Sequence, residues 1–386
     1  MFKIAFTFLP FVFAFALVPL FLKPAGVSGR GKTAALAIFL ACASKFAAFR
    51  VFGGDAFAPE LPEGLIWFWN WAYSGMCILF GFSLAAWPLR LVAKRLLRSE
   101  FARRVWLSAL PAAAAAMSLV GVWNGVRPPD VARLELKFDS LPEELDGYRI
   151  VHITDIHASA AARRWRTEEI VRLANSLEAD LVCLTGDFAD GRSGDGAVNI
   201  EPIRNLSAKD GVLAVTGNHE YYFDTPGWEK AYDSWNIRFL RNECAFPRPR
   251  LAVAGVSDPA CEIAGEPPPD PDAAFSSARN GEFRILLQHR PVVNFMLTTG
   301  RTMKEKCDLQ LSGHTHGGVA PLMDAVVALF NGGMVRGLYH GGDSRAVYVS
   351  PGAGQWAGFP IRFFDDPEIT EIVLSRSRPG PRSRRE

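Results

Sequence analysis

The chain divides into two parts with different patterns of apolar and polar residues. Up to Val126, long stretches are dominated by Phe, Leu, Ala and Trp. From Arg127 onward, short apolar runs alternate with segments in which acids and bases are mixed. This pattern predicts a helical membrane domain at 1–126, followed by a globular domain.

Four stretches of the first part are long and apolar enough to cross a bilayer, which takes about 20 residues. They cover roughly 4–22, 33–51, 65–88 and 105–124. The third has tryptophans near both ends, where interfacial anchors lie. In the second, Lys45 and Arg50 are expected to snorkel to the interface. The first lacks a clean signal-peptide cleavage site, so we interpret it as a retained helix.

Basic residues indicate how these spans are oriented. The first and third connections are rich in Lys and Arg, whereas the second contains acids instead. The basic residues are Lys23, Arg30, Lys32, Arg90, Lys94, Arg95, Arg98, Arg103 and Arg104, and the acids are Asp55, Glu60 and Glu63. By the positive-inside rule, the first and third connections face the cytoplasm. The sequence therefore predicts a multi-pass protein of the inner (cell) membrane whose second part is extracytoplasmic.

The second part alternates predicted strands and helices. Residues 127–144 form a linker and a lead-in strand, because two prolines end the preceding helical pattern. Strands are predicted at 149–154, 180–185, 212–216, 237–240, 251–256, 283–288, 308–312, 346–350 and 369–374, and helices near 166–178 and 226–235. This order indicates α/β layers built on two sheets over 145–375. The basic tail, 376–386, is predicted to be disordered.

Composition narrows the function classes only slightly. The net charge of +2 provides no electrostatic argument for a nucleic-acid partner. Among the predicted spans, Lys45 and Asn70 are the only notable polar residues, which favours an anchor over a transporter or channel. The six cysteines show no metal-binding spacing, and a Cys244–Cys261 bridge stays open.

Five polar clusters, each after a short apolar run, contain five of the seven histidines. They are Asp155-Ile156-His157, Gly186-Asp187, Gly217-Asn218-His219-Glu220, His289 and Gly313-His314-Thr315-His316. Because parallel strands end at a common sheet edge, we expect these clusters to lie together. Carboxylate, imidazole and amide groups are ligands of divalent metals. Two metals about 3.5–4 Å apart can hold the attacking and leaving oxygens of a displacement at phosphorus.

In this order, the clusters resemble the calcineurin-like metallophosphoesterase family. The resemblance covers about 145–375, and its flanking motifs, Leu145–Ile150 and Ser350–Gly354, resemble the membrane-anchored bacterial branch. It implies an α/β fold, a two-sheet αββα sandwich, here preceded by about four transmembrane helices.

The resemblance also implies a role for each residue of the site. Two metals would be held by seven side chains, and Asp187 would bind both metals. The first would bind Asp155, His157, Asp187 and His316, and the second Asp187, Asn218, His289 and His314. His219 and Asp187 would be catalytic, with His219 protonating the leaving oxygen and a hydroxide between the metals as nucleophile. Mn, Fe, Zn and Ni remain open as the metal.

Several other residues near the clusters also have predicted roles. We interpret His152 as a packed core histidine and His340 as a surface residue. Glu220 and Asp190 are candidates to orient His219 or the ligands. The segment 319–341, with its apolar run, is interpreted as a lid, a substrate wall or a segment that dips into the membrane.

The expected activity is hydrolysis of a phosphomonoester, phosphodiester or pyrophosphate, with a lipid-linked or envelope substrate as an attractive case. One alternative is a UDP-2,3-diacylglucosamine-type pyrophosphatase of lipid A synthesis, which needs a cytoplasmic domain. Another is a non-catalytic metal-binding membrane protein.

Overall fold

The described residues before Arg127 are mainly helical. In this computed structural model, the described residues are 2–88, 99–235, 237–292, 307–319, 323–340, 346–356, 358, 361–363 and 365–377. The helices are α1 (Phe2–Leu17, continued by a π-helical turn, Val18–Leu22), α2 (Gly29–Ala43), α3 (Lys45–Phe52), α4 (Glu63–Ala85) and α5 (Glu100–Val126). Residues Met1–Val126 form one compact unit together with Trp356–Phe363, and the remaining residues form a second unit.

Two of these helices, α4 and α5, are long and apolar enough to cross a membrane. Helices α2 and α3 pass the same test only as a pair, bent by 54°. The bend lies at Ser44, whose hydroxyl donates to the Ala41 carbonyl at 2.8 Å and competes with the helical hydrogen bonds. The helix at the start of the chain counts only as a shorter apolar helix, with its apolar stretch at Thr7–Leu22. Among the described residues there are therefore two or three candidate spans, not clearly the four expected.

The polar groups of this helical unit differ in part from expectation. Lys45 does not snorkel, since it is fully buried and its Nζ lies 4.3 Å from the ring centre of Phe46 and 4.8 Å from that of Tyr73. Contacts with aromatic faces stabilise the ammonium group there. The basic residues Arg90, Lys94, Arg95 and Arg98, on which the orientation depends, lie outside the described residues.

The second unit contains two mixed six-stranded sheets. The first has the order β1-β12-β2-β3-β4-β5 and the second β10-β11-β9-β8-β7-β6. The strands are β1 (Asp130–Phe138), β2 (Arg149–Ile153), β3 (Leu181–Thr185), β4 (Val212–Val215), β5 (Arg238–Phe239), β6 (Glu243–Arg248), β7 (Leu251–Gly255), β8 (Phe283–Leu287), β9 (Leu309–Ser312), β10 (Gly337–His340), β11 (Ala346–Val349) and β12 (Glu368–Arg376). This is the expected α/β architecture of two sheets with helices.

Helices and short turns connect these strands. The helices are α6 (Arg164–Ser176), α7 (Ser193–Ile200), α8 (His219–Tyr222), α9 (Thr225–Asp233), α10 (Pro271–Ala274) and α11 (Asp324–Phe330). Strands β2 to β5 run parallel to one another, as do β7, β8, β9 and β11. Their carboxyl ends therefore meet at a common edge of each sheet.

Strands β2 and β3 are buried on both faces, which explains their uninterrupted apolar runs. Ile150 and Leu181 point into the core between the sheets, where they join Leu251 and Ile285 of the second sheet. Their neighbours, such as Val151, lie in the core beneath α6. Side chains alternate between the two faces of a strand, so both cores draw on the same short segments.

Arg166, in the first turn of α6, holds together loops that are distant in sequence. Its side chain is almost fully buried and donates to the carbonyls of Ile156 at 3.2 Å and Arg127 at 3.1 Å, and also to Ala353. A cation so close to a helix amino terminus opposes the helix dipole. The three carbonyl acceptors account for its position, and Ile156 lies between two candidate metal ligands.

Replacing Arg166 with Met should lower the free energy of unfolding of the second unit by about 2–4 kcal/mol, because three carbonyls lose their donor. Thermal unfolding of the detergent-solubilised full chain measures this. The control is Arg172→Met, since the Arg172 side chain is 63% exposed and pairs with Glu169 on the surface. Equal midpoints for the two variants would contradict the role of Arg166.

Candidate metal centre

Each predicted site residue lies just after the end of a strand. Asp155 and His157 follow β2, Asp187 follows β3, and Asn218 and His219 follow β4. From the second sheet, His289 follows β8, and His314 and His316 follow β9. The structure thus brings all of the predicted site residues to one place, and all but the half-buried His314 are buried.

Backbone hydrogen bonds hold the strand-end loops against each other. The amide of Asp155 donates to the Gly186 carbonyl at 3.0 Å, and that of His157 donates to the Asp187 carbonyl at 3.1 Å. The amide of His219 donates to Asp187 Oδ1 at 2.8 Å. The loops therefore fix the side chains they carry relative to one another.

Several of these residues have strained backbones. Nine described non-glycine residues have a positive φ, and five of them are candidate ligands. These are Asp155, His157, Asp187, His314 and His316, with φ between 49° and 72°. Such conformations cost about 1 kcal/mol or more each for residues with a Cβ, and they cluster at functional sites. The strain turns these side chains toward a common point.

The first group of donor atoms consists of Asp155, His157 and His316. The Nε2 atoms of His157 and His316 lie 3.2 Å apart. Asp155 Oδ1 is 3.7 Å from His157 Nε2 and 3.5 Å from His316 Nε2. Three donor atoms this close, all buried, could hold one metal ion.

A second group consists of Asp187, His289 and His314, and a third, His157, Asp187 and His219, overlaps the first two. His289 Nε2 lies 3.2 Å from Asp187 Oδ2 and 3.2 Å from His314 Nδ1. Asp187 Oδ2 is also 3.7 Å from His157 Nε2, which belongs to the first group. The Asp187 carboxylate therefore lies between the two groups.

Oxygen acceptors orient three of the ligand imidazoles. His157 Nδ1 lies 2.9 Å from Asp190 Oδ1, His289 Nδ1 lies 2.7 Å from the Thr185 carbonyl, and His316 Nδ1 lies 3.2 Å from the Gly354 carbonyl. An oxygen acceptor places the ring proton on Nδ1, which leaves the Nε2 lone pair for a metal.

Two buried oxygens show that the site suits a cation. Asp155 Oδ1 and Asn218 Oδ1 have no hydrogen-bond partner among the described residues, although both side chains are buried. An unpaired buried acceptor is costly, and coordination to a metal removes this cost. Carboxylate, amide and imidazole donors together match the ligand set of a divalent metal.

The charges of the site reinforce one another. Burial alone would lower the pKa of His289, but the Asp187 carboxylate outweighs it and raises that pKa to about 10. Burial alone would raise the pKa of Asp187, but the charges of His289 and His219 hold it well below its usual range. The carboxylates therefore favour positive charge beside them, as protons on imidazoles or as bound cations.

Glu220 connects two of the site loops from behind. Its carboxylate accepts hydrogen bonds from the amides of Asp187 at 2.9 Å, Phe188 at 2.9 Å and Gly217 at 2.7 Å. Sequence reasoning considered Glu220 as an orienting residue, and these contacts show what it orients. It positions the backbone on both sides of Asp187.

Asp190 joins His219 to the first group of ligands. Its Oδ1 lies 2.6 Å from His219 Nδ1 and 2.9 Å from His157 Nδ1. The Nε2 atom of His219 lies 4.0 Å from Asp187 Oδ2. The sequence analysis named Asp190 as a candidate to orient His219 or the ligands, and Asp190 contacts one of each.

Other predicted and unpredicted residues lie around the site. His152 is buried in β2 and contacts Thr185 Oγ1 at 2.8 Å, as a core histidine would. His340 is exposed at the end of β10. Sequence reasoning missed Arg290, which follows His289 directly and pairs with Asp258 at 2.7 and 3.0 Å.

Two further predictions concern a segment and a pair of thiols away from the ligands. In the segment 319–341, α11 exposes Leu329 and Phe330, and 320–322 and 341 lie outside the described residues. Cys244 and Cys261 are both buried free thiols, so the bridge left open does not form in this structure.

Residues 148–318 match the model of the family described as Calcineurin-like phosphoesterase. Two relatives are each described as "Transmembrane protein with metallophosphoesterase domain". The one from Danio rerio is 31% identical over 275 residues, which cover 68% of this chain and 61% of that protein. The one from Bos taurus is 32% identical over 273 residues, which cover 67% of this chain and 60% of that protein.

A bacterial relative, described as "Uncharacterized metallophosphoesterase" of Helicobacter pylori, is 31% identical over 256 residues, with 66% of each chain covered. By comparison, the chain spans about three fifths of the length of the two animal relatives. The expected family is confirmed, and it covers the part of the chain that carries the strand-end site.

Replacing Gly313 with Ala should weaken metal binding by at least about tenfold, because ligand support of this kind is worth about 10–100-fold. A Cβ at Gly313 would overlap the Asp155 carboxylate and the Thr154 hydroxyl. Titration of the metal-free protein with Mn²⁺ measures the affinity. Gly194→Ala is the control, since a Cβ there meets nothing within 4 Å. Unchanged affinity in Gly313→Ala would contradict the assigned position of Asp155.

Proposed function

The chain belongs to the calcineurin-like phosphoesterase family, and from that premise we propose that it is a metal-dependent phosphoester hydrolase anchored in a membrane. The observation that carries the proposal is the pair of buried donor groups that meet at Asp187. A phosphoester needs positive charge beside its non-bridging oxygens in the transition state. The donor set is suited to supply that charge through bound cations.

We propose two metal positions that share Asp187. Asp155, His157, Asp187 and His316 would hold one, and Asp187, Asn218, His289 and His314 the other. When bound, the metals supply Lewis-acid charge and a water nucleophile at neutral pH. The 3.2 Å between His157 Nε2 and His316 Nε2, and the 3.2 Å between His289 Nε2 and His314 Nδ1, support one position on each side of the carboxylate.

His219 is proposed as the acid that protonates the leaving oxygen. Asp190 accepts from its Nδ1 at 2.6 Å, which orients the ring. Its Nε2 therefore faces the Asp187 side of the site, and the side chain is 11% exposed, so a substrate can reach it.

The substrate is proposed to be a phosphomonoester, phosphodiester or pyrophosphate near a membrane, with a lipid-linked ester as one case. The helical domain would act as an anchor with up to four spans in the inner membrane. The asymmetry of Lys and Arg supports an extracytoplasmic catalytic domain. A cytoplasmic pyrophosphatase of lipid A synthesis is not favoured for the same reason.

Substitutions at His219 and Asp187 should separate turnover from metal binding. His219→Ala should retain metal but lose about 100-fold or more in kcat, because general acid catalysis is worth that much. Asp187→Ala should lose metal as well. Metal content and hydrolysis of phenyl phosphate by the Mn²⁺-loaded full chain are the measurements. Wild-type activity in His219→Ala would refute the role of His219 as the acid. Full metal content in Asp187→Ala would refute the proposal that Asp187 binds both metals.

A reporter fused after Glu386 should be inactive if it functions only in the cytoplasm, and active if it functions only outside. The positive-inside rule places this end of the chain outside. Fusions in the first connection, which is predicted to be cytoplasmic, such as one after Lys23, provide the opposite control. The reverse pattern would place the site in the cytoplasm and revive the pyrophosphatase alternative.

A further inference from the structure

A cleft of about 680 Å³ opens beside α8 in the second unit. This volume lies within the range of about 300–1,000 Å³ that is common for small-molecule sites. Its wall includes Tyr222, Phe223, Glu229, Arg241, Ser257 and Glu266. No candidate metal ligand lines this cleft, so it is a separate feature from the donor groups.

The cleft starts next to the proposed acid. The ring centre of Tyr222 lies 5.4 Å from that of His219, and the ring centre of Phe223 lies 6.2 Å from it. In the hydrolysis, a water oxygen bonds to phosphorus and the P–O bond to the leaving group breaks. The departing oxygen takes the His219 proton, the added water loses a proton to solvent, and His219 regains one from solvent. The rest of the leaving group would then lie against these two rings.

The aromatic wall favours a ring-shaped group. Tyr222 is 45% exposed, so much of its surface is available to a ligand. Aromatic faces pack well against flat or ring-shaped groups and provide apolar contact without strict orientation. A long, flexible chain would gain less from so short an aromatic surface, since it loses more conformational entropy on binding.

The polar wall determines which ring fits. Arg241 pairs with Glu229 at 2.7 Å, so its positive charge is matched. Glu266 accepts a hydrogen bond from Tyr221 at 3.1 Å and has further acceptor capacity. The carboxylates outnumber the cation among the lining residues. Such a wall accepts hydrogen bonds from hydroxyl groups and repels a second phosphate or a carboxylate.

We propose that this cleft binds the leaving group of the substrate as a neutral, hydroxyl-bearing ring of the sugar type. The inference rests on the proposed hydrolase function, which it deepens by naming the alcohol that is released. It favours a phosphoester of such an alcohol over a pyrophosphate, because the leaving group of a pyrophosphate is itself anionic.

Two phosphomonoesters of primary alcohols test the cleft: glucose 6-phosphate and cyclohexylmethyl phosphate. Their rings are similar in size, but only the first has hydroxyl groups. The Mn²⁺-loaded full chain should hydrolyse the glucose ester with a kcat/KM at least about tenfold higher than that for the cyclohexyl ester. The cyclohexyl ring offers no hydroxyl groups to the hydrogen-bond acceptors of the wall. Equal values, or a preference for the cyclohexyl ester, would overturn the proposal.

Variants connect the preference to the named side chains. Glu266→Gln should lower kcat/KM for the glucose ester by about tenfold, mainly through KM, and change the cyclohexyl ester less than about twofold. Tyr222→Leu should raise KM for both esters. Phe246→Leu is the matched control, since Phe246 is an exposed aromatic residue that lines a different cavity. If Glu266→Gln prefers the glucose ester as strongly as the wild type does, other residues cause the preference, and the proposal is overturned.

Phenyl phosphate distinguishes failure of the cleft proposal from failure of the proposed hydrolase function. If it is hydrolysed and neither ring ester is, the cleft does not bind such a leaving group, and the proposed hydrolase function stands. If the metal-loaded protein hydrolyses none of the three monoesters, and neither diphenyl phosphate nor inorganic pyrophosphate, the hydrolase function itself fails.

Discussion

The site depends on the burial of Asp187 between two sets of imidazoles. A buried carboxylate is costly unless positive charge or hydrogen-bond donors compensate it. Here His289 Nε2 lies 3.2 Å from one oxygen, and the His219 amide donates to the other at 2.8 Å. Every loop of the site reaches this carboxylate directly or through one neighbour. Changes that move Asp187 should therefore disturb the proposed metal positions and the proposed acid together.

The fold provides this arrangement through strand ends and stores strain there. Parallel strands of both sheets deliver short loops to one edge, and five candidate ligands adopt positive φ. The free-energy cost of this backbone strain is offset by the hydrophobic cores on both faces of the sheet. Glu220 and Arg166 also contribute, because they bind backbone atoms of the site loops. The second unit thus combines a rigid frame with a strained site, as expected where ligand geometry matters more than local stability.

The sequence predicted the parts of the structure that have strong local signals. Uninterrupted apolar runs such as Leu181–Leu184 predicted the buried strands, and the order of clusters predicted which residues would meet. The bend at Ser44 was missed, because one hydroxyl bonding to the Ala41 carbonyl leaves the hydropathy pattern unchanged. The position of Arg166 and the cleft beside Tyr222 were also missed, since both depend on contacts between residues far apart in sequence.

The most direct test of the shared carboxylate is the position of bound metal. Anomalous diffraction from crystals grown with Mn²⁺ should show two peaks about 3.5–4 Å apart. One should contact Asp155, His157 and His316, the other Asn218, His289 and His314, with Asp187 touching both. A single peak, or two peaks of which only one contacts Asp187, would contradict the account.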